Sequence, residues 1–190
     1  MIIKRRSIFT FISISSFCIV IFSACSSSKK SNAVAKAPLN LYQTLPDSSE
    51  KKTLFGLLST QQLTQDTAFE WYAANLKYFK VDSATVQNIR AKKDKIHLVL
   101  FCGTWCHDSQ QLIPKYLTTL EAAGFPEEKL TIFGVDRNKE TVGGFNRTFN
   151  VTLVPTLIVM QDGKEVDRIT EYGKTALVDK ELGEIISAIH

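Results

Sequence analysis

Residues 96–102, Ile-His-Leu-Val-Leu-Phe-Cys, are almost unbroken apolar, and Gly103-Thr-Trp-Cys-His-Asp-Ser109 carries them straight into a stretch of helical periodicity. A strand of this composition has to be buried on both faces, so the chain must build a sheet covered on each side. The helix is expected over residues 106–123, with Gly124 in the position just past its end. Pro114 falls inside it and removes one hydrogen bond of the ladder. Cys106 stands at the strand-to-helix junction, where unpaired N–H groups and the helix dipole favour a thiolate over a thiol. A protonated His107 pushes the same way, and Asp108 opposes it by competing for those N–H groups. The bland alternative is an inert thiol.

The remaining pattern supplies the partners of that strand. Residues 129–135 read as a second strand, and residues 140–149 as a helix weakened by Gly143 and Gly144. Strands at 156–161 and 165–169 flank Asp162-Gly163, a hairpin signal. Residues 175–189 form an amphipathic helix through Leu177, Val178, Leu182, Ile185, Ile186 and Ile189. Upstream, residues 54–58 read as a short apolar helix, and Thr67-Ala-Phe-Glu70 as a capping box. Phe69, Tyr72, Ala73, Leu76 and Phe79 then share one helical face, and Asp82-Ser83 caps a further helix with Val86 and Ile89 inward. The order of elements is that of an α/β domain: a mixed β-sheet with helices on both faces, preceded by a helical extension.

Trp105-Cys106, Pro114 and Val154-Pro155-Thr156 resemble, in order and nearly in spacing, the thioredoxin superfamily. The resemblance covers residues 95–190 and implies a thioredoxin-like fold there, with residues 39–94 as the helical extension. It also implies a cis Val154–Pro155 bond facing Cys106, so that Val154 offers backbone to an extended substrate, with Trp105, Val154 and Pro155 as substrate-binding residues. Three departures bear on chemistry. Ser109 stands where the family has its second cysteine, Leu100 where it has a buried acid, and a position near Ile132 where that acid has its lysine neighbour. What the resemblance implies is thiol–disulfide exchange on protein or peptide thiols through Cys106, with no cofactor. Ser109 is expected to hydrogen-bond Cys106 and cap the helix start. Cys102, where many thioredoxins have a tryptophan, is the candidate resolving thiol, provided the two Cα atoms lie within about 7 Å. A non-catalytic thioredoxin-fold module that binds peptides along Val154-Pro155 is the rival. Cu(I) held by Cys102 and Cys106 is the minor alternative, since soft thiolates suit that ion. The pair resembles the ligands of copper-delivering members of this fold, which add a further histidine, and apart from His107 only His97 and His190 are available. No resident metal is expected.

The beginning of the chain reads as an address. Lys4, Arg5 and Arg6 precede an apolar stretch, residues 8–22, too short to span a bilayer, which ends in Phe22-Ser-Ala-Cys25. That ending resembles the lipobox of bacterial lipoproteins, which implies a signal peptide over residues 1–24, lipidation of Cys25, and a flexible tether over residues 25–38. The expected location is the cell envelope, lipid-anchored to a membrane and facing the periplasm or exterior. An ordinary signal peptide or an uncleaved anchor is the alternative. Loss of residues 1–24 removes three positive charges and no negative one, taking the net charge from +4 to +1. Nothing in that balance calls for nucleic acid.

Overall fold

The computed structural model describes residues 41–47 and 52–190. The leader, the tether and Cys25 lie outside the described residues. Among the described residues no helix is long and apolar enough to cross a membrane.

The apolar run becomes the central strand β3 (Ile96–Cys102), buried at every residue but His97. It pairs in parallel with β4 (Leu130–Gly134) on one side and antiparallel with β5 (Thr156–Gln161) on the other. β5 turns through Asp162-Gly163 into the antiparallel β6 (Lys164–Thr170). Beyond β4 the sheet continues with β2 (Thr53–Leu58) and β1 (Tyr42–Leu45), giving six strands in the order β1-β2-β4-β3-β5-β6.

β2 is the main difference from the sequence reading, which expects a helix at residues 54–58. Gly56 has φ +103 there, and a Cβ on it would lie 2.4 Å from the Leu41 carbonyl oxygen, so only glycine lets β1 close on β2. Opposite it, Gly134 of β4 pairs with Gly56 at equally close quarters. A five-residue apolar run has no decisive periodicity, and here the free edge of β4 decides it. The extension is helical only after this strand pair, through α1 (Thr60–Thr64), α2 (Trp71–Ala74) and α3 (Ser83–Lys92). The expected helix from Thr67 shrinks to α2, whose N-cap is Glu70. Asp82 caps α3 as expected, accepting the Thr85 N–H at 2.8 Å.

α4 (His107–Ala122) carries Pro114 and ends in paired bonds, Phe125 N–H to Leu120 O and Gly124 N–H to Glu121 O, the Schellman pattern. The helix expected at residues 140–149 is reduced to α5 (Phe145–Thr148), because Gly143 and Gly144 both adopt positive φ and break it. The chain closes with α6 (Val178–Ser187). Alternation along β3 divides the interior in two. Leu98, Leu100 and Cys102 join a large cluster with Ile89, Leu112, Tyr116 and Leu182 of the helices. Val99 and Phe101 face the other way, into a smaller cluster with Phe133, Val151, Val154 and Ile158. Aromatic rings fill that second cluster: Phe101 stacks on Phe133 at 5.0 Å between centroids and tilts against Phe149 at 5.7 Å.

Candidate active site

Cys106 is the N-cap of α4, in extended backbone conformation, and its neighbour Trp105 shares its half-buried state. The turn that carries them is closed by Cys106 N–H donating to Gly103 O at 2.9 Å. Val154 and Pro155 join across a cis peptide bond, and the Cys106 thiol donates to Val154 O at 3.2 Å. Cys106 and Trp105 both pack against the smaller cluster that contains the buried Val154 side chain. The structure therefore brings Cys106, Trp105, Val154 and Pro155 to one place. Leu153, just before them, is exposed, and its carbonyl is already taken by the Thr156 hydroxyl at 2.8 Å.

Ser109 lies fully buried one helical turn further on. Its hydroxyl accepts the Gly103 N–H at 3.2 Å, where the sequence reading expects Cys106. The side chain points back beneath the turn, so it braces the turn's first residue rather than the sulfur. Cys102 is likewise at the strand end but packs into the larger cluster, away from the one that Cys106 touches. Both thiols are free. Burial, and secondarily the proximity of Cys106, pushes the Cys102 thiol from 9.0 up to about 12. Leu100 and Ile132 sit opposite each other in the β3–β4 register, both buried, so the acid and lysine positions of the family are here an apolar contact.

The metal alternative finds little support from placement. His97 is exposed at the start of β3. Five steps along the extended strand separate it from Cys102, about 16 Å. His190 accompanies it at that far end, where Gln161 donates to the His190 carbonyl. Among the described residues no group of three or more His, Cys, Asp or Glu side chains could hold a metal ion.

Several residues at the site were not legible from the sequence. Tyr172, in the loop after β6, donates its hydroxyl to Asp108 Oδ1 at 3.1 Å, so Asp108 is engaged by a phenol 64 residues away. Partial burial, and then that carboxylate, hold the Tyr172 phenol above its usual range. Trp105 Nε1–H donates to Val135 O at 3.0 Å, and Arg137 lies over its ring at 5.2 Å. Thr104 is buried and accepts the Leu54 N–H at 3.0 Å. No local pattern announces such partners, because each joins elements far apart in sequence.

The buried thiol makes a pH prediction. Cys102 stays protonated in the fold while its unfolded counterpart ionises near 9. Its contribution to stability is complete below that value and is lost as pH rises through the range of about 9 to 12. Iodoacetamide at pH 8 is expected to label Cys106 in the native chain and Cys102 only after denaturation. The urea midpoint should fall above pH 9, and fall less steeply in Cys102→Ala. Equal labelling of both thiols in the native chain contradicts this placement.

A cysteine capping a helix at the end of a central strand, opposite a cis-proline turn on a mixed sheet, defines a thioredoxin-like thiol protein. A family model described as Thioredoxin matches residues 70–182. The chain is 33% identical over 115 residues to thioredoxin 2 of Chlorobaculum tepidum, covering 58% of this chain and 96% of that protein. It is 34% identical over 110 residues to the thioredoxin of Mycobacterium tuberculosis, covering 56% and 88%. A third relative, thioredoxin-2 of Pyricularia oryzae, is 27% identical over 123 residues, covering 64% and 68%. This chain belongs to the thioredoxin family. Thioredoxin-like thiol–disulfide redox chemistry on protein thiols and disulfides is its function class. The matched region starts at residue 70, so it takes in α2 and α3 but not β1 and β2.

Proposed function

We propose that this chain is a lipid-anchored thiol–disulfide exchange protein of the cell envelope, facing the periplasm or exterior, that works through Cys106 as a single exchanging thiol. The observation that carries the exchange half is the placement of Cys106 Sγ at the helix N-cap, half-exposed and 3.2 Å from Val154 O. The Cys106 thiolate attacks one sulfur of a substrate disulfide, forming a mixed disulfide and releasing the other sulfur as a thiolate that takes a proton from solvent. A thiolate cannot donate to Val154 O, so ionisation frees that carbonyl for an N–H of an extended substrate segment.

Resolution is the step that departs from a dithiol enzyme. Ser109 carries no thiol, and Cys102 is buried with its thiol pushed up to about 12. The mixed disulfide is therefore opened by a thiolate from outside the domain. A second thiol of the substrate gives isomerisation, with no net redox change. A small-molecule thiolate that attacks the Cys106 sulfur releases the substrate reduced and leaves a Cys106–small-molecule disulfide. A second small-molecule thiolate opens that bond, freeing Cys106 and forming the small-molecule disulfide. The same two observations at Ser109 and Cys102 favour the rival, a peptide-binding module with an idle Cys106.

The envelope half rests on the basic start, the short apolar run and Ser-Ala-Cys25. Its test is expression of the full chain and of Cys25→Ser in a bacterial host fed labelled palmitate. Label and membrane association should appear in the full chain and vanish in the variant. A full chain that stays unlabelled and in the soluble fraction overturns the anchor.

A further inference from the structure

The strand pair β1–β2 lies outside the region that matches the thioredoxin family, yet it touches the active-site turn at two points. One is Thr104, which accepts the Leu54 N–H at 3.0 Å and donates to Lys52 O at 3.4 Å. The other begins at Asp47, just past β1. Its carboxylate takes both arms of the Arg137 guanidinium, Oδ2 from Nε and Oδ1 from an Nη, each at 2.9 Å. Thr53 at the start of β2 donates to the same Oδ2 at 3.0 Å, fixing the carboxylate from behind. Arg137, so aimed, lies over the Trp105 indole at 5.2 Å.

Trp105 is thereby held at three points. Its Nε1–H is spent on Val135 O, and beneath it lies Gly103, where a Cβ would come within 2.7 Å of the ring. The guanidinium lies over the ring itself. A planar, delocalised cation suits this position better than an ammonium, because it can stack on a ring while its edge engages a carboxylate in two parallel bonds. The indole is next in sequence to Cys106 and packs with it against the same cluster as Val154. The indole therefore borders the half-exposed sulfur that a substrate has to reach.

We propose that Asp47 and Arg137 are positioning residues for exchange at Cys106, holding Trp105 in place as one wall of the substrate approach through a carboxylate–guanidinium–indole stack supplied in part by the β1–β2 pair. This rests on the exchange reading of Cys106. Loss of either residue frees the indole to leave Gly103 and sweep across the approach. The sulfur itself keeps its place at the helix N-cap, so a small alkylating agent should notice little.

The test uses the full chain in a Trp71→Phe background, which leaves Trp105 as the sole tryptophan. Asp47→Ala and Arg137→Ala should each make Trp105 fluorescence more accessible to acrylamide. Each should also lower kcat/KM for a peptide disulfide about five- to tenfold, the scale of a partly exposed cation–π contact. Most of the loss should appear in KM, with the iodoacetamide rate at Cys106 within about twofold of the parent. The double variant should be no worse than Arg137→Ala, because the two act as one unit. Arg137→Lys should recover less than half of the loss, since it keeps the charge without the fork. Unchanged quenching with unchanged exchange, or losses that simply add, overturns the proposal. A parent chain that exchanges no disulfide overturns the exchange reading and with it the role in exchange. In that event the quenching arm still decides whether Asp47 and Arg137 hold Trp105.

Discussion

Cys106→Ser is expected to abolish disulfide exchange by the full chain while leaving its fold intact. A hydroxyl is smaller than a thiol and introduces no clash at a half-buried N-cap, and serine is itself a favoured capping residue, so α4 should start as before. The chemistry has no substitute. A serine hydroxyl without an adjacent base is a weak nucleophile, and removal of a nucleophile costs up to roughly 10⁶-fold in rate where it has been measured. Exchange is followed by reduction of a peptide disulfide with an external thiol as the second reactant. Cys102→Ser in the same assay should retain activity within about threefold, because that buried thiol stays protonated near neutral pH. Activity lost in Cys102→Ser as well as in Cys106→Ser would overturn the single-thiol mechanism. Activity unchanged in Cys106→Ser would show that exchange does not run through Cys106, and a parent chain without exchange activity would leave the binding module standing.

Phe101→Ala is expected to be the most damaging single truncation near the site. The ring is fully buried, stacked on Phe133 and tilted against Phe149, at the level where β3 gives way to the active-site turn. Truncating a buried phenylalanine costs about 3–5 kcal/mol through lost transfer energy and the cavity left behind. Domains of this kind have only about 5–15 kcal/mol in total, so the variant should sit at the margin of folding. A drop in Tm on the order of 10 °C is expected by calorimetry. Because Val154 packs in the same cluster, the variant should also lose exchange activity at temperatures where it remains folded. A drop of only a degree or two would mean that the second cluster collapses readily around the gap.

The parts of the fold that were legible are those written in short-range chemistry. β3 announces itself by its unbroken apolar run, and the Asp162-Gly163 hairpin by its turn residues. α3 carries its own cap in Asp82, and α4 its own stop at Gly124. The junction that places Cys106 follows from the same local signals, and the cis Val154–Pro155 bond opposite it from the family resemblance. Where local signals are thin, sequence and structure part. Residues 54–58 hold too few residues for either period to win, and Gly143-Gly144 undoes a helix that flanking residues favour.

By itself, then, the sequence determined which residue is the candidate nucleophile and that no second cysteine follows one helical turn later, since these depend on identity and spacing. The turn that faces it was implied by the family resemblance. Only the tertiary structure decided that Cys102 is sealed into the larger cluster, that Ser109 braces Gly103, and that Asp47 and Arg137 reach Trp105. Those outcomes turn on which sheet face a side chain meets and which strand closes on an open edge. Both are set by burial and pairing between segments that lie up to 90 residues apart, where no sequence period operates.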